Sequence, residues 1–467
     1  MGTYQRLTAE HIECLTHIVG AGYVYATAEK RLPYDRDEGA DDGFARLPDA
    51  VVLPGSATEI AAIMRWANRE RIPVVPRGAG TGLEAGAVVN RYGGIVLSTE
   101  RLNHMIEFDA ERLYAVVEPA VRTAVLQAEA KKRGLLYAGD PCSGDSCFIG
   151  GNGATNAGGN RAVKYGTTRD QIYSIEVVTP QGDITTLGGR LKKVTTGYPL
   201  EKIVIGSEGT LGIITKLTVK LLPLPPYSAH ILAVFPDAAT ALSVVTAFSG
   251  AGIEPTCLEF MDNDCVRIVE KFLGEKQPYS DVGNYMIMQV DSKQEILLDE
   301  TCLEIDACCR ELGAIDVFVA DADRIWRARK NFSEASGSEG PVAMEDFVVP
   351  PDCLAALLTR LKQIAADTGL SFRGVSHAGD GNLHLDVLRK ELDDALWRER
   401  LSAFETQACN VVYELGGKLS GEHGIGECRK TLMKAYTDPV ELELMKALKK
   451  AWDPNLILNP GKIFDVE

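Results

Sequence analysis

Basic residues are in short supply. The 467-residue chain has 49 Lys and Arg against 65 Asp and Glu, a formal net charge of −16. An anionic body repels phosphate, which excludes nucleic-acid binding through a general positive field. Long apolar runs are missing too: none approaches the roughly 18 residues of a membrane span. The N-terminus, MGTYQRLTAEHIECL, lacks the basic segment and apolar core of a secretory signal, so a cytoplasmic protein is expected. The cysteines number 11, an odd count, and no two form a C-x-x-C pair. That excludes a secreted disulfide framework and gives no ligand cluster for iron–sulfur chemistry. Cys142 and Cys147, the one close pair near the glycine-rich segments, read as reduced thiols in a loop. No repeat of fixed period and no low-complexity segment is visible.

What is present is ordinary globular composition, 45% hydrophobic and 24% charged, on a chain long enough for two or three domains. Thr8 can cap a first helix running to about Val19. DAVVLP, a Ser56/Glu59 capping box before IAAIMRWANRE, and IPVVP read as strand, helix, strand, a βαβ unit. Short β-like runs follow: GGIVLS, YAVVEP, SIEVVTP, IVIGSEG and LGIITKLTVKLLP. They end near Leu224-Pro225-Pro226, a plausible boundary. Beyond it, strands (HILAVF, CLEFM, YMIMQV, IDVFVA, FVVP, LSFRGV) alternate with helical segments, an α+β pattern. The last 70 or so residues read as mainly helical.

Three glycine-rich segments carry the first chemical signal. Pro76-Arg77-Gly78-Ala79-Gly80-Thr81-Gly82 directly follows a strand. Glycine lets backbone approach a ligand and aim several N–H groups at one anion, though a tight turn needs glycine as well. The spacing is not the dinucleotide G-x-G-x-x-G, because Leu83 occupies the third glycine position, nor a phosphate loop closed by G-K-[ST]. Ile149-Gly150-Gly151-Asn152-Gly153-Ala154-Thr155-Asn156-Ala157-Gly158-Gly159-Asn160 is a small-residue wall suited to a flat ring or a pyrophosphate. Gly206-Ser207-Glu208-Gly209-Thr210-Leu211-Gly212-Ile213-Ile214 is the third. Turns alone do not account for all three.

Histidine is scarce, 7 in all, yet three fall in two short segments: Ser376-His377-Ala378-Gly379-Asp380-Gly381-Asn382-Leu383-His384 and Ser420-Gly421-Glu422-His423-Gly424-Ile425-Gly426. Two imidazoles and a carboxylate form a usual ligand set for a divalent metal that keeps positions open for substrate.

Together the glycine segments resemble the FAD-binding domain of the vanillyl-alcohol oxidase / p-cresol methylhydroxylase superfamily, from about Asp49 to Leu224. The resemblance implies that the Arg77–Gly82 loop wraps the FAD pyrophosphate, that Gly150–Gly159 and Gly206–Ile214 hold the rest of the dinucleotide, and that Ser143, Thr155, Asn156 and Tyr165-Gly166 contribute. Some members attach FAD through His or Tyr; the pyrophosphate loop here has no His, so non-covalent FAD is expected. Over nearly the whole chain, the histidine segments resemble the FAD-dependent D-2-hydroxyacid dehydrogenases: D-lactate dehydrogenases, glycolate oxidase catalytic subunits and D-2-hydroxyglutarate dehydrogenases. On that resemblance His377, His384 and Glu422 match ligands of a zinc, manganese or iron ion. His423 matches a proposed general base. Arg329, in Trp326-Arg327-Ala328-Arg329-Lys330, matches a substrate-carboxylate anchor. Ser333 matches an assisting Thr, and Asn459 lies in a C-terminal segment returning to the flavin. The implied fold is α+β: an N-terminal helical segment (1–48), the FAD-binding domain (49–225), an α+β substrate or cap domain holding the metal site (226–410) and a C-terminal helical segment (411–467).

The chain departs from the hydroxyglutarate pattern at two positions. Met344 stands where those enzymes carry a Lys for the second carboxylate, and Asp386 where they carry an Asn. Losing a cation and gaining an anion argues for a small monocarboxylate, D-lactate or glycolate. The expected reaction is hydride transfer from substrate Cα to flavin N5, with the hydroxyl proton taken by His423. With no nicotinamide fingerprint and no cluster motif, the electrons are expected to pass to a partner. On the resemblance this is an electron-transferring flavoprotein of the electron-bifurcating kind, or an iron–sulfur subunit, a cytochrome or a quinone. A metal-free flavoenzyme of the superfamily has no use for the His/Glu set. An electron-relay subunit has no use for a base and a carboxylate anchor.

Overall fold

The computed structural model describes residues 4–39 and 43–466. Contacts divide the chain into two compact units: Met1–Gly158, Thr167–Leu224 and His423–Glu467 form one, and Gly159–Gly166 with Pro225–Glu422 form the other. One division thus falls between Leu224 and Pro225. The C-terminal return begins at His423, later than the position 411 read from helical pattern, and the segment 159–166 joins the second unit.

The first unit holds a four-stranded and a five-stranded sheet, together with a two-stranded pair of Leu135–Leu136 and Leu222–Pro223. The first sheet has the order Val24–Tyr25, Ala50–Val52, Ile95–Ser98, Val74–Arg77. Its last three strands run parallel and Val24–Tyr25 pairs antiparallel at the edge. Strands Ala50–Val52 and Val74–Arg77 flank helix Ala57–Glu70 in sequence, yet Ile95–Ser98 lies between them in the sheet. Ser56 caps that helix by accepting from the Glu59 amide at 3.1 Å. The Glu59 carboxylate takes the amide of Gly55 at 2.7 Å rather than that of Ser56, so the reciprocal half of the capping box is displaced by one residue. The helix places Ile60, Ile63, Met64 and Ala67 against Val52, Val74, Ile95 and Leu97. These spacings of three and four residues are the apolar stripe of an amphipathic helix. The N-terminal helix Ala9–Val19, capped by Thr8, adds Leu15 and Val19 to the same core.

The second sheet is antiparallel, in the order Met105–Asp109, Tyr114–Val117, Ile213–Lys220, Ile172–Val178, Ile184–Gly188. Strand Ile213–Lys220 alternates buried and half-buried residues along its second half, the period of a pleated surface. The IVIGSEG run, read as β from its apolar residues, instead contributes to a short helix, Leu200–Val204, that ends just before the glycines. Five residues cannot separate the two periods, and Gly206 and Gly209 with positive φ prevent continuation in either form. At the C-terminus the chain returns to the first sheet. Val74 N donates to Ile457 O and Asn459 N donates to Val74 O, both at 2.8 Å. Lys449 anchors the return, its buried Nζ donating to Thr210 O, Leu458 O and the Asp453 carboxylate at 2.7, 2.7 and 2.8 Å.

The second unit is built on a seven-stranded antiparallel sheet. Its order is Asp316–Val319, Tyr227–Phe235, Asn284–Ser292, Cys257–Met261, Phe372–His377, Asn382–Leu388, Val342–Val348. Phe372–His377 and Asn382–Leu388 form a hairpin. Its reversal depends on Gly381, which has φ +85° and whose Cβ, if present, would fall 2.0 Å from Val349 O. Only glycine fits there. Register then decides chemistry: Asp346 pairs opposite His384, and Phe260 opposite Ser376, so Glu259 falls at the next position, across from His377.

Candidate active site

In the second unit, His377 closes one hairpin strand and His384 lies within the other. Their rings stand perpendicular with centroids 5.2 Å apart. Each directs Nε2 at the same carboxylate oxygen, Glu422 Oε1, at 3.4 Å from His377 and 3.2 Å from His384. One ligand atom from each of the three residues lies within 4.8 Å of the others. Each ring is also held from behind. His377 Nδ1 meets Glu259 Oε1 at 2.8 Å, and His384 Nδ1 lies 3.5 Å from Asp346 Oδ1. A carboxylate behind a histidine fixes its tautomer and its aim, the arrangement that backs histidine ligands in metal sites. The residues therefore fit a divalent metal: two nitrogen donors and one oxygen donor converge, and a carboxylate supports each imidazole.

Glu422 is positioned through the backbone. Asp346, fully buried, accepts from Ser420 Oγ at 2.6 Å and from the amides of Gly421 and Glu422 at 3.0 Å each, all on Oδ2. Asn382 Nδ2 donates to its Oδ1 at 2.7 Å. Asp346 thus orients one imidazole and clamps the loop that presents the third ligand. Burial would raise the Glu422 carboxyl, but the positive fields of His377 and His384, with their hydrogen bonds, hold it well below the usual range. Asp380, on the turn between the histidines, goes the other way. Burial lifts it to about 7, opposed by His377 and reinforced by Glu259 and Glu422.

Arg329 is buried on helix Ala322–Lys330, and its Nε and Nη2 meet Glu259 Oε2 at 3.0 and 2.9 Å. Glu259 therefore joins the arginine to His377. Ser333 lies beyond a break at Asn331, on helix Phe332–Gly337, and is exposed; Ser336 is the buried serine of that turn. Met344 lies opposite Asp386 in the sheet, and burial raises the Asp386 carboxyl to about 6. His423 follows Glu422 directly, at the point where the chain passes from the second unit to the last part of the first.

In the first unit the three glycine segments meet through their backbones. A Cβ on Gly78 would lie 3.7 Å from Gly151 Cα, and one on Gly209 would lie 3.3 Å from Pro76 Cγ. Gly206 N donates to Gly153 O at 3.0 Å and Glu208 N to Ala154 O at 2.8 Å. Gly150 packs on Pro119 so closely that a Cβ would fall 2.4 Å from Pro119 Cβ. Half-buried Gly78, Ala79, Gly80, Thr81 and Gly82 follow the strand as a loop. The Arg77 side chain points into the protein, its Nη1 donating to Ala87 O at 3.3 Å and its Nη2 to Pro33 O at 3.5 Å. Thr155 bonds back to Gly151 O, and the Asn156 side chain accepts from Thr167 Oγ1 and Arg169 N. Ser143 anchors a turn through its carbonyl, and Ile214 lies in the core. Gly159 and Tyr165 belong to the second unit.

Glu208, with φ +52°, accepts from the amides of Ile425 and Gly426 at 2.8 and 2.7 Å, so it pins the loop that follows His423. Asn459 Nδ2 donates to Glu208 O at 2.7 Å and to Gly86 O at 3.1 Å. Asn459 Oδ1 and Ser207 Oγ are buried and have no hydrogen-bond partner among the described residues. Bare backbone from three segments beside orphaned polar atoms fits a dinucleotide cofactor.

The residues missed from the sequence are Glu259 and Asn382, together with the clamping role of Asp346. The one available signal was a lone carboxylate inside the apolar run CLEFM.

Two family models match the chain, the FAD binding domain over residues 48–188 and the FAD linked oxidases, C-terminal domain, over 224–463. A D-lactate dehydrogenase from Anaerostipes hadrus is 36% identical, covering 98% of both chains. The glycolate oxidase subunit GlcD of Bacillus subtilis is 35% identical over 93% of this chain and 92% of its own. A D-2-hydroxyglutarate dehydrogenase from Stutzerimonas stutzeri is 32% identical over 97% and 98%. Among solved structures, p-cresol methylhydroxylase with substrate bound superposes with a TM-score of 0.81 at 16% identity, covering 97% of this chain and 96% of that one. A 4-ethylphenol oxidase from Gulosibacter chungangensis gives 0.80 at 20% identity, covering 99% of each.

Proposed function

From the premise that the chain belongs to the FAD-linked oxidases, in the branch of the D-2-hydroxyacid dehydrogenases, we infer that it oxidises a small D-2-hydroxyacid, D-lactate before glycolate, to the 2-oxoacid. It is an FAD-linked oxidoreductase. The observation that carries the metal-dependent reading is the convergence of His377 Nε2 and His384 Nε2 on Glu422 Oε1, each ring backed by a buried carboxylate. When bound, FAD supplies the two-electron acceptor and the divalent metal a Lewis acid for the substrate oxygens. FAD is held without a covalent link by the Pro76–Gly82, Gly150–Asn156 and Glu208–Ile214 segments, and zinc, manganese or iron by His377, His384 and Glu422.

The remaining chemistry belongs to side chains. Arg329 receives the substrate carboxylate, because a planar guanidinium can hold a carboxylate in a bidentate fork. Fixing the carboxylate fixes the direction of the Cα–H bond. His423 takes the hydroxyl proton at a ring nitrogen, and Glu208 limits its freedom through the amides of Ile425 and Gly426. Met344 offers no cation to a second carboxylate, which favours a monocarboxylate. Neither a nicotinamide fingerprint nor an iron–sulfur cysteine motif stands in the sequence, which favours electrons leaving to a partner. An electron-transferring flavoprotein is the partner proposed, with an iron–sulfur subunit second.

Anaerobic mixing with D-lactate, L-lactate, glycolate and D-2-hydroxyglutarate tests the substrate class. D-lactate should bleach the flavin fastest, and flavin that stays oxidised with all four would sink the reading. A chain that reduces NAD unaided would refute the partner.

A further inference from the structure

Glu259 is fully buried on strand Cys257–Met261, and both of its oxygens are committed. Oε1 meets His377 Nδ1 at 2.8 Å; Oε2 meets Arg329 Nε at 3.0 Å and Nη2 at 2.9 Å. A carboxylate with no solvent contact persists where charge and hydrogen bonds compensate its desolvation, and here two different functional groups supply the compensation. Asp346 provides the contrast. It also backs a histidine, and it bonds Ser420, Gly421, Glu422 and Asn382, which hold the loop that presents Glu422 and the hairpin that presents His384.

We propose that Glu259 is a positioning residue that couples the two halves of the hydroxyacid site, aiming His377 with one oxygen and the Arg329 guanidinium with the other. The proposal rests on the reading of His377 as a metal ligand and Arg329 as the carboxylate anchor. A shared carboxylate cannot serve the two partners independently. A change in charge or reach at Glu259 alters the aim of His377 and the aim of the Arg329 guanidinium together. Each partner also feels the other, because the negative charge that polarises His377 is partly neutralised by the arginine.

The test uses the FAD-loaded protein stripped with a chelator and titrated calorimetrically with Mn²⁺, so the metal readout does not depend on turnover. Steady-state kinetics with the best substrate follow, separating KM from kcat. Glu259→Gln should weaken Mn²⁺ binding by about 10–100-fold and raise KM in the same protein, with flavin content unchanged. Arg329→Lys should raise KM while Mn²⁺ affinity stays within about threefold, and Asp346→Asn should weaken Mn²⁺ binding without the rise in KM. If Glu259→Gln does not fold, Glu259→Asp, which keeps the charge but shortens the reach by one methylene, should move both readouts in the same direction by less. A Glu259 variant that shifts only one readout, or neither, overturns the coupling. Wild-type protein that takes up no Mn²⁺ overturns the metal reading and this proposal with it. Wild-type and Glu259→Gln proteins that bind Mn²⁺ equally overturn the proposal alone.

Discussion

The two units build their sites from different materials. In the first, the segments proposed to hold the cofactor are mostly backbone, with glycines at 78, 150, 151 and 209 in close approach to neighbouring chain and side chains such as Arg77 and Asn156 turned to internal hydrogen bonds. In the second, the proposed site is made of side chains, and His377, His384 and Arg329 each meet a buried carboxylate from a distant stretch of sequence. A backbone site is sensitive to added volume and tolerant of changed charge. A side-chain site held by carboxylates is the reverse.

That contrast can be broken by experiment. The largest effect is expected at the ligands: His384→Ala or Glu422→Gln should lower kcat by about a thousandfold, the several kcal/mol that a Lewis acid supplies, with flavin content unchanged. Flavin loss in these variants would show that the two sites are not separate. His423→Ala should lower kcat by about 10²–10⁴-fold with little change in KM, and an unchanged kcat would remove it as the base. In the first unit, one methyl group should do what a lost charge does in the second. Gly150→Ala drives a Cβ to 2.4 Å from Pro119 Cβ, and overpacking of about 1–3 kcal/mol should appear as a lower ratio of flavin to protein. A fully flavinated Gly150→Ala protein would contradict the backbone account.

A smaller effect concerns pH. Burial raises Asp380 to about 7, so the folded state of the metal-free protein keeps a proton that the unfolded chain releases near the ordinary aspartate value. The stability this group contributes is complete below that ordinary value and declines as pH rises toward about 7, levelling off above it. The Tm of metal-free wild type should therefore fall relative to Asp380→Asn between about pH 4 and about pH 7. Parallel curves would remove Asp380 from the cluster. The smallest expected change is one of preference. Met344→Lys should raise kcat/KM for D-2-hydroxyglutarate relative to D-lactate by about tenfold, one added ion pair in a partly buried setting.

Much of this was legible in the sequence because its signals are local. The Ser56 cap, the strand–glycine–loop at 74–82 and the His377/His384 spacing each lie within a few residues. Register and long-range pairing are not local. Nothing near CLEFM states that Glu259 will lie across from His377, and nothing near M-E-D-F states that Asp346 will clamp residues 420–422. The Leu200–Val204 helix was misread for the opposite reason: its apolar run is too short to carry a period. The boundary at His423 also lay beyond sequence pattern, because the residues after it read as irregular and their ties to the first unit, such as those of Ile425 and Gly426 to Glu208 and of Glu427 to Glu84, are long-range.

We propose that a metal held by His377, His384 and Glu422 governs reduction of the bound flavin. The most direct measurement is the anaerobic half-reaction with D-lactate, followed by flavin absorbance on one protein sample as purified, after chelation and after Mn²⁺ is restored. The account predicts rapid bleaching, then a loss of about a thousandfold in rate with FAD still bound, then recovery. Bleaching at an unchanged rate in protein shown to be free of metal would contradict it.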